Sequence, residues 1–449
     1  MLLPSRISSN KKSLAMWSIL ITALMIDTSL VNLSDIIRIN TGSWKMVVFF
    51  VIAAIYGIGQ FLVLGFIKDK SKEIITKSPL RLNTIFKIVT IVQYALTGIL
   101  LFVVLQMVAS SYYGIVMLIM AASISYILAI AMMGILAQRF FLWYKSNRNT
   151  VVLLYGLASV ALSINAALTL VITSVLLQAL APEARPGLIS PSSENFSPLG
   201  RAIGIINSFY IVSSIVSFII IWCATAMLLH HYSQRLKRIK YWVIVSLPLI
   251  YFLSQFVSLF LNLFAPLLEL NPIFFSIILT LIFTMTKPAG GILFGFAFRT
   301  VAKNIYQNSA VRDYLIISAY GLVLIFISNQ AVVLVSAPYP PFGLVTISFM
   351  GLSSYLILVG IYSSAISVSV DAKLRQSIRK TVIQESNLLD SIGTAQMAKE
   401  IEDKVVKMTE DNAYMLTQQS GVEPSLTHNE IKLYVEKVLD EVKTKRHSR

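Results

Sequence analysis

One cysteine, four histidines and a charged fraction of 13% leave this chain little of the usual chemistry. The lone thiol, Cys223, lies inside an apolar stretch, so an intrachain disulfide is excluded and the residue reads as a small buried apolar side chain. The histidines are His230, His231, His428 and His447. Neighbours on a helix point about 100° apart, so His230 and His231 cannot clamp one ion from one face. No His-Glu-x-x-His, Walker loop, Gly-x-Ser-x-Gly or kinase motif set occurs. Neither a metal, a cofactor nor an enzymatic reaction is therefore expected.

What the chain has instead is apolar length. Hydrophobic residues make up 56% of it and the mean hydropathy is +0.75, the composition of a polytopic membrane protein whose main solvent is the lipid bilayer. A span needs about 20 apolar residues to cross about 30 Å of hydrocarbon. Ten stretches qualify: 13–33, 45–67, 88–109, 114–138, 150–178, 202–229, 241–264, 273–298, 314–336 and 344–367. The expected fold is an all-α bundle of about ten transmembrane helices in residues 1–370, followed by a small cytosolic helical tail in 371–449.

Charge orients the bundle. With ten spans, nineteen Lys and Arg fall on the side of the N-terminus and four on the other, which puts both termini in the cytoplasm of a cell membrane. The tail carries thirteen basic and thirteen acidic residues, so the net +16 belongs to the membrane region's inner loops. That is an orientation signal, and a nucleic-acid partner is not expected. Trp17, Trp143 and Trp242 fall near inner ends and Trp44 near an outer end, where indole favours the wet edge of a bilayer. The Pro- and Ser-rich connection 179–201 contains the glycosylation-type tripeptide Asn195-Phe196-Ser197 and divides the spans five and five, as in transporter repeats.

The tail reads as three amphipathic helices. Leu374, Ile378, Val382, Leu389 and Ile392 share an arc of about 80° on the first. Gly393 marks the first break, Met397 to Met415 a second stripe, and Ile431 to Val442 a third. The first is expected to continue from the last span and to dock a cytosolic protein through Leu374, Ile378, Val382 and Leu389.

Polar residues inside spans are the candidates for function. Lys287 is the one cation placed in hydrocarbon, at a cost of about 2.5 to 3.5 kcal/mol, and Pro288, Gly290 and Gly291 follow it. Pro288 frees a backbone carbonyl, and a helix broken at such depth lines the binding site of many transporters. The simpler reading is a kinked, glycine-packed helix with Lys287 reaching toward the inner surface. Asp27 is the one acid deep in a span and could pair with Lys287 or meet water near the outer end. Ser353, Gly360, Ser364 and Ser367 form a small-residue stripe on the last span, either a packing seam or a relay toward the tail.

The stretch Pro340-Pro341-Phe342-Gly343 through Ser377-Ile378-Arg379-Lys380, with Leu389-Asp390-Ser391-Ile392-Gly393, resembles a pattern from uncharacterised polytopic membrane proteins of ammonia-oxidising archaea. The resemblance covers the last span and the tail, implies a cell-membrane setting and supplies no activity or site residues. Three functions fit: a non-enzymatic sensor relaying a ligand or membrane state through its tail, a secondary transporter with a site at Lys287, Pro288, Gly290, Gly291 and Asp27, or a scaffold subunit.

Overall fold

The computed structural model describes residues 4–33, 42–77, 82–110, 113–180, 198–230, 238–256, 271–304, 310–330, 334, 340–371, 375 and 387–420. Among them the secondary structure is helical: α1 (Pro4–Leu33), α2 (Gly42–Lys77), α3 (Leu82–Ser110), α4 (Ile115–Asn147), α5 (Thr150–Leu180), α6 (Pro198–Leu229), α7 (Arg238–Ser254), α8 (Pro272–Asn304), α9 (Ala310–Ser328), α10 (Leu344–Ser348), α11 (Met350–Val370) and α12 (Asn387–Ser420). Helix occupies part of each of the ten apolar stretches. Seven described segments, namely α2 to α6, α9, and α10 with α11, are long and apolar enough to cross a membrane. The chain is a multi-pass helical membrane protein. Exposed apolar side chains such as Ile58, Ile91, Leu101, Val116 and Leu247 ring its outside, where lipid is as good a neighbour as protein.

Consecutive helices run back and forth. Arg148, in the left-handed region at φ 48°, ends α4 and returns its N–H to the Tyr144 carbonyl. Asn149 then starts α5 by accepting the Val151 N–H on its side-chain oxygen, 2.9 Å away. Two residues thus suffice to reverse the chain. Tyr155 near the start of α5 meets Thr225 near the end of α6 and Phe298 near the end of α8. These termini mark one end of the bundle, the end that bears Arg139, Lys145, Arg148 and Arg299.

The middle of the bundle is α11. Every residue from 340 to 366 is buried, which requires neighbours on all sides. Small residues make that possible, because without a hydrophobic drive between helices in lipid, close van der Waals approach supplies the adhesion. A Cβ on Gly351 would come 3.1 Å from the Ser125 carbonyl oxygen of α4. One on Gly360 would sit 2.6 Å from the Tyr314 carbonyl oxygen of α9. Ser353 and Ser364 turn their hydroxyls back onto the Met350 and Gly360 carbonyls, and Ser367 is half-buried near the helix end. Small residues lie all round this helix, so the stripe read from the sequence is one part of a wider set.

Three expectations need correction. The helix of the last span does not run on into the tail: α11 stops at Val370, and Asp371 is extended at φ −95°, ψ 101°. The expected continuous helix is thus interrupted at Asp371. Gly393 breaks nothing, since α12 passes straight through it. The missing side chain instead lets α12 touch α11, where a Cβ would collide with Val368. Trp17 and Trp143 are core residues at 0% and 2% exposure. Trp17 stacks on Tyr320 at 4.4 Å, and Trp143 donates its indole N–H to Gln396 Oε1 at 3.2 Å. Trp44 and Trp242 are exposed.

The described tail helix packs on the chain's own bundle. Leu388, Leu389, Ile392 and Ala395 are buried. Asn147 and Asn149 donate to the Ser391 carbonyl and hydroxyl at 2.5 and 2.8 Å, and Ser369 donates to Glu400 at 3.2 Å. Leu389, expected to meet a partner protein, spends its apolar surface on the bundle; Leu374, Ile378, Val382, Asn195 and the third tail stripe lie outside the described residues.

Candidate functional site

The site begins with a helix that ends early. The apolar stretch 314–336 holds no proline or glycine between Ser328 and Ser336, and one continuous helix is the expectation. Yet α9 stops at Ser328, and Gln330 turns its N–H back to the Ser328 carbonyl at 2.9 Å. Asn329 and Gln330 turn their side chains to other helices, Asn329 to Tyr126 and Asn165 and Gln330 to the Thr284 carbonyl. The last carbonyls of a helix lack partners within it and carry partial negative charge.

Lys287 of α8 fills that need. Its ammonium donates to the Asn329 carbonyl at 3.3 Å and to the Tyr210 hydroxyl of α6 at 3.1 Å, and it lies 5.3 Å from the centre of the Tyr210 ring. The side chain therefore reaches across to α6 and the α9 terminus, so the expectation of a lysine reaching for the inner surface is overturned. The glycines after it explain the reach. A Cβ on Gly291 would stand 2.8 Å from Phe326 Cβ, and one on Gly295 2.7 Å from the Ala319 carbonyl oxygen. Both residues draw α9 against α8, and Gly290 leaves room for the Phe218 ring of α6.

Pro288 is buried inside α8, which continues through it from Pro272 to Asn304. The eighth span is thus not broken; the helix end that meets Lys287 is that of its neighbour α9. Proline cannot supply an N–H to the carbonyl four residues back. That carbonyl, of Thr284, accepts the Gln330 side-chain amide at 3.5 Å instead. Each backbone group released by an irregularity in one helix is taken up by a side chain of the other.

Asn329 extends the cluster to further helices. Tyr126 of α4 donates to its Oδ1 at 3.3 Å, and its Nδ2 donates to Asn165 Oδ1 of α5 at 2.8 Å. Asn165 Nδ2 in turn donates to Ser213 Oγ of α6 at 2.9 Å, and Ser213 returns to the Tyr210 carbonyl at 2.9 Å. The ring closes through Lys287, joining α4, α5, α6, α8 and α9. Asn165 and Asn329 are 1% and 4% exposed. Among the described residues no carboxylate pairs with Lys287.

Asp27 is elsewhere. Its Oδ2 accepts the Thr346 backbone N–H at 3.0 Å and the Thr346 hydroxyl at 2.8 Å, at the start of α10. Gly343 makes the turn that presents these donors, at φ 89°, a conformation that suits glycine. An Asp27–Lys287 pair is therefore contradicted: each charge has gone to a helix end of opposite polarity, the cation to a C-terminus and the anion to an N-terminus. The composition of the cluster was readable, since Asn165, Asn329 and Gln330 all stand out as polar residues within spans. Tyr126, Tyr210 and Thr346 were not, because tyrosine and threonine in an apolar stretch carry no such signal. No protein-family model, no curated protein and no solved structure matches the chain.

Proposed function

We propose that the chain is a non-enzymatic secondary carrier of the cell membrane, taking a small anionic solute at Lys287. The observation that supports this reading is the position of the Lys287 ammonium, turned into the bundle and held by a hydroxyl and a carbonyl without a carboxylate. A cation at that depth costs about 2.5 to 3.5 kcal/mol, and neutral acceptors leave its charge uncompensated. An anion that arrives and departs completes it. The end of α9 at Asn329 lies beside Lys287, and helix termini inside a bundle are where transporter sites are often built. With the basic end of the bundle in the cytoplasm, ten spans put both termini there.

The test is uptake of labelled monocarboxylates, dicarboxylates and inorganic phosphate into proteoliposomes. Lys287→Met is expected to abolish flux of whichever anion is carried, while Lys287→Arg retains part of it. Size-exclusion behaviour and helical circular dichroism stay unchanged in both. Full flux through the Lys287→Met protein would overturn the carrier reading.

A sensor reading has its own support in the packing of α12 on α4, α5 and α11, since α4 and α5 also hold Tyr126 and Asn165. In that case solute binding would alter the seat of the tail and its access to a cytosolic protein. Truncation after Lys380 would then remove a partner captured by the full-length protein.

A further inference from the structure

The other buried charge carries a separate inference. Asp27 is 0% exposed, and among the described residues no lysine, arginine or histidine pairs with it. Its Oδ2 is satisfied by Thr346, but Oδ1 is buried without a hydrogen-bond partner. Beside the Thr346 hydroxyl that serves Oδ2, oxygen atoms from two elements lie close together. The Thr346 hydroxyl lies 3.1 Å from the Leu24 carbonyl oxygen, and the Thr28 hydroxyl lies 2.9 Å from that carbonyl and 3.3 Å from Thr346 Oγ1. The backbone N–H groups of Thr346 and Gly343 also face the carboxylate, the first of them donating to Oδ2.

We propose that Asp27, Thr28, Thr346 and the Leu24 carbonyl form a binding site for a sodium ion between α1 and the start of α10. Hard oxygen ligands suit a hard cation. One carboxylate balances one positive charge, so a divalent ion would leave a net charge buried in lipid. A proton on Oδ2 would oppose the two donors of Thr346, and a proton on Oδ1 is the competing occupant that the pH comparison below separates from sodium. Sodium beside Oδ1 satisfies the free oxygen and leaves both Thr346 bonds in place. The site shares no residue with the Lys287 cluster, so it stands or falls independently of the carrier reading.

The experiment uses full-length protein in lipid nanodiscs. Binding of ²²Na⁺ is measured directly, and thermal unfolding is compared in NaCl and in choline chloride at equal ionic strength. Wild type is expected to bind ²²Na⁺ saturably and to melt at higher temperature in NaCl. Asp27→Asn should lose both effects, and Thr346→Ala should weaken Na⁺ affinity about tenfold. If Asp27→Asn does not fold, Thr28→Val keeps the test open, with reduced Na⁺ affinity expected at unchanged helicity. Absence of saturable ²²Na⁺ binding to wild type, or binding unchanged in the folded variants, would overturn the proposal. So would stabilisation that follows pH and ignores Na⁺.

Discussion

At residue 360 a side chain would start inside its neighbour. The Tyr314 carbonyl and the Ser318 hydroxyl of α9 occupy the space, so Gly360→Val has to push α9 away from α11. The expected loss is about 1 to 3 kcal/mol, as for other overpacked sites, read as a lowered midpoint in thermal unfolding. Gly134→Val is the control, since nothing lies within 4 Å of a Cβ there. Asn329 is the polar counterpart: Asn329→Leu removes the side-chain bonds to Tyr126 and Asn165 and takes the donor from buried Asn165 Oδ1. The expected cost is about 1 to 3 kcal/mol, because a buried partner left unsatisfied costs more than a bond gains. The small stripe on α11 was legible because helical spacing alone brings Ser353, Gly360 and Ser364 together. The direction of Lys287 was not. A lysine in mid-span reaches equally far either way, and the group that decides it is a carbonyl released where α9 ends without a proline or glycine to announce it.

Helices bring a different kind of surprise. Gly393 reads as a stop because glycine commonly ends helices, yet here it is a contact surface between α12 and α11. Glycine's two uses, as terminator and as a place of close approach, look the same in a sequence until the facing helix is known. The amphipathic stripe of the tail was legible, and so was its helicity; what covers Leu389 and Ile392 was not, since an apolar face does not state its partner. Gly393→Val is expected to lift α12 from the bundle without unfolding the spans. Hydrogen exchange across residues 388–406 should then accelerate at least severalfold, and limited proteolysis should cut there, while exchange in α11 stays slow. Unchanged protection in α12 would show that its seat does not depend on that contact.

Across the whole molecule, the bundle is organised by helix ends as much as by helices. Lys287 and Asp27 lie in different helices and, instead of pairing, each stabilises a terminus within the protein interior. Apolar length made the membrane setting and the number of apolar stretches plain from composition. The end of α9 at Ser328 falls inside the stretch 314–336 and could not be placed in advance, whereas the start of α10 at Leu344 coincides with the start of the stretch 344–367. Two separated charges of opposite sign are what the proposed carrier of an anion, with a separate cation site, would use.

That account turns on whether Lys287 faces a polar interior that solute and water reach. Because Cys223 is the sole native cysteine, a Cys223→Ala, Lys287→Cys protein offers one thiol for labelling. In proteoliposomes the account predicts that a charged, water-soluble methanethiosulfonate modifies Cys at residue 287. Modification only by a lipid-dissolved maleimide, with the charged reagent inert, would contradict it.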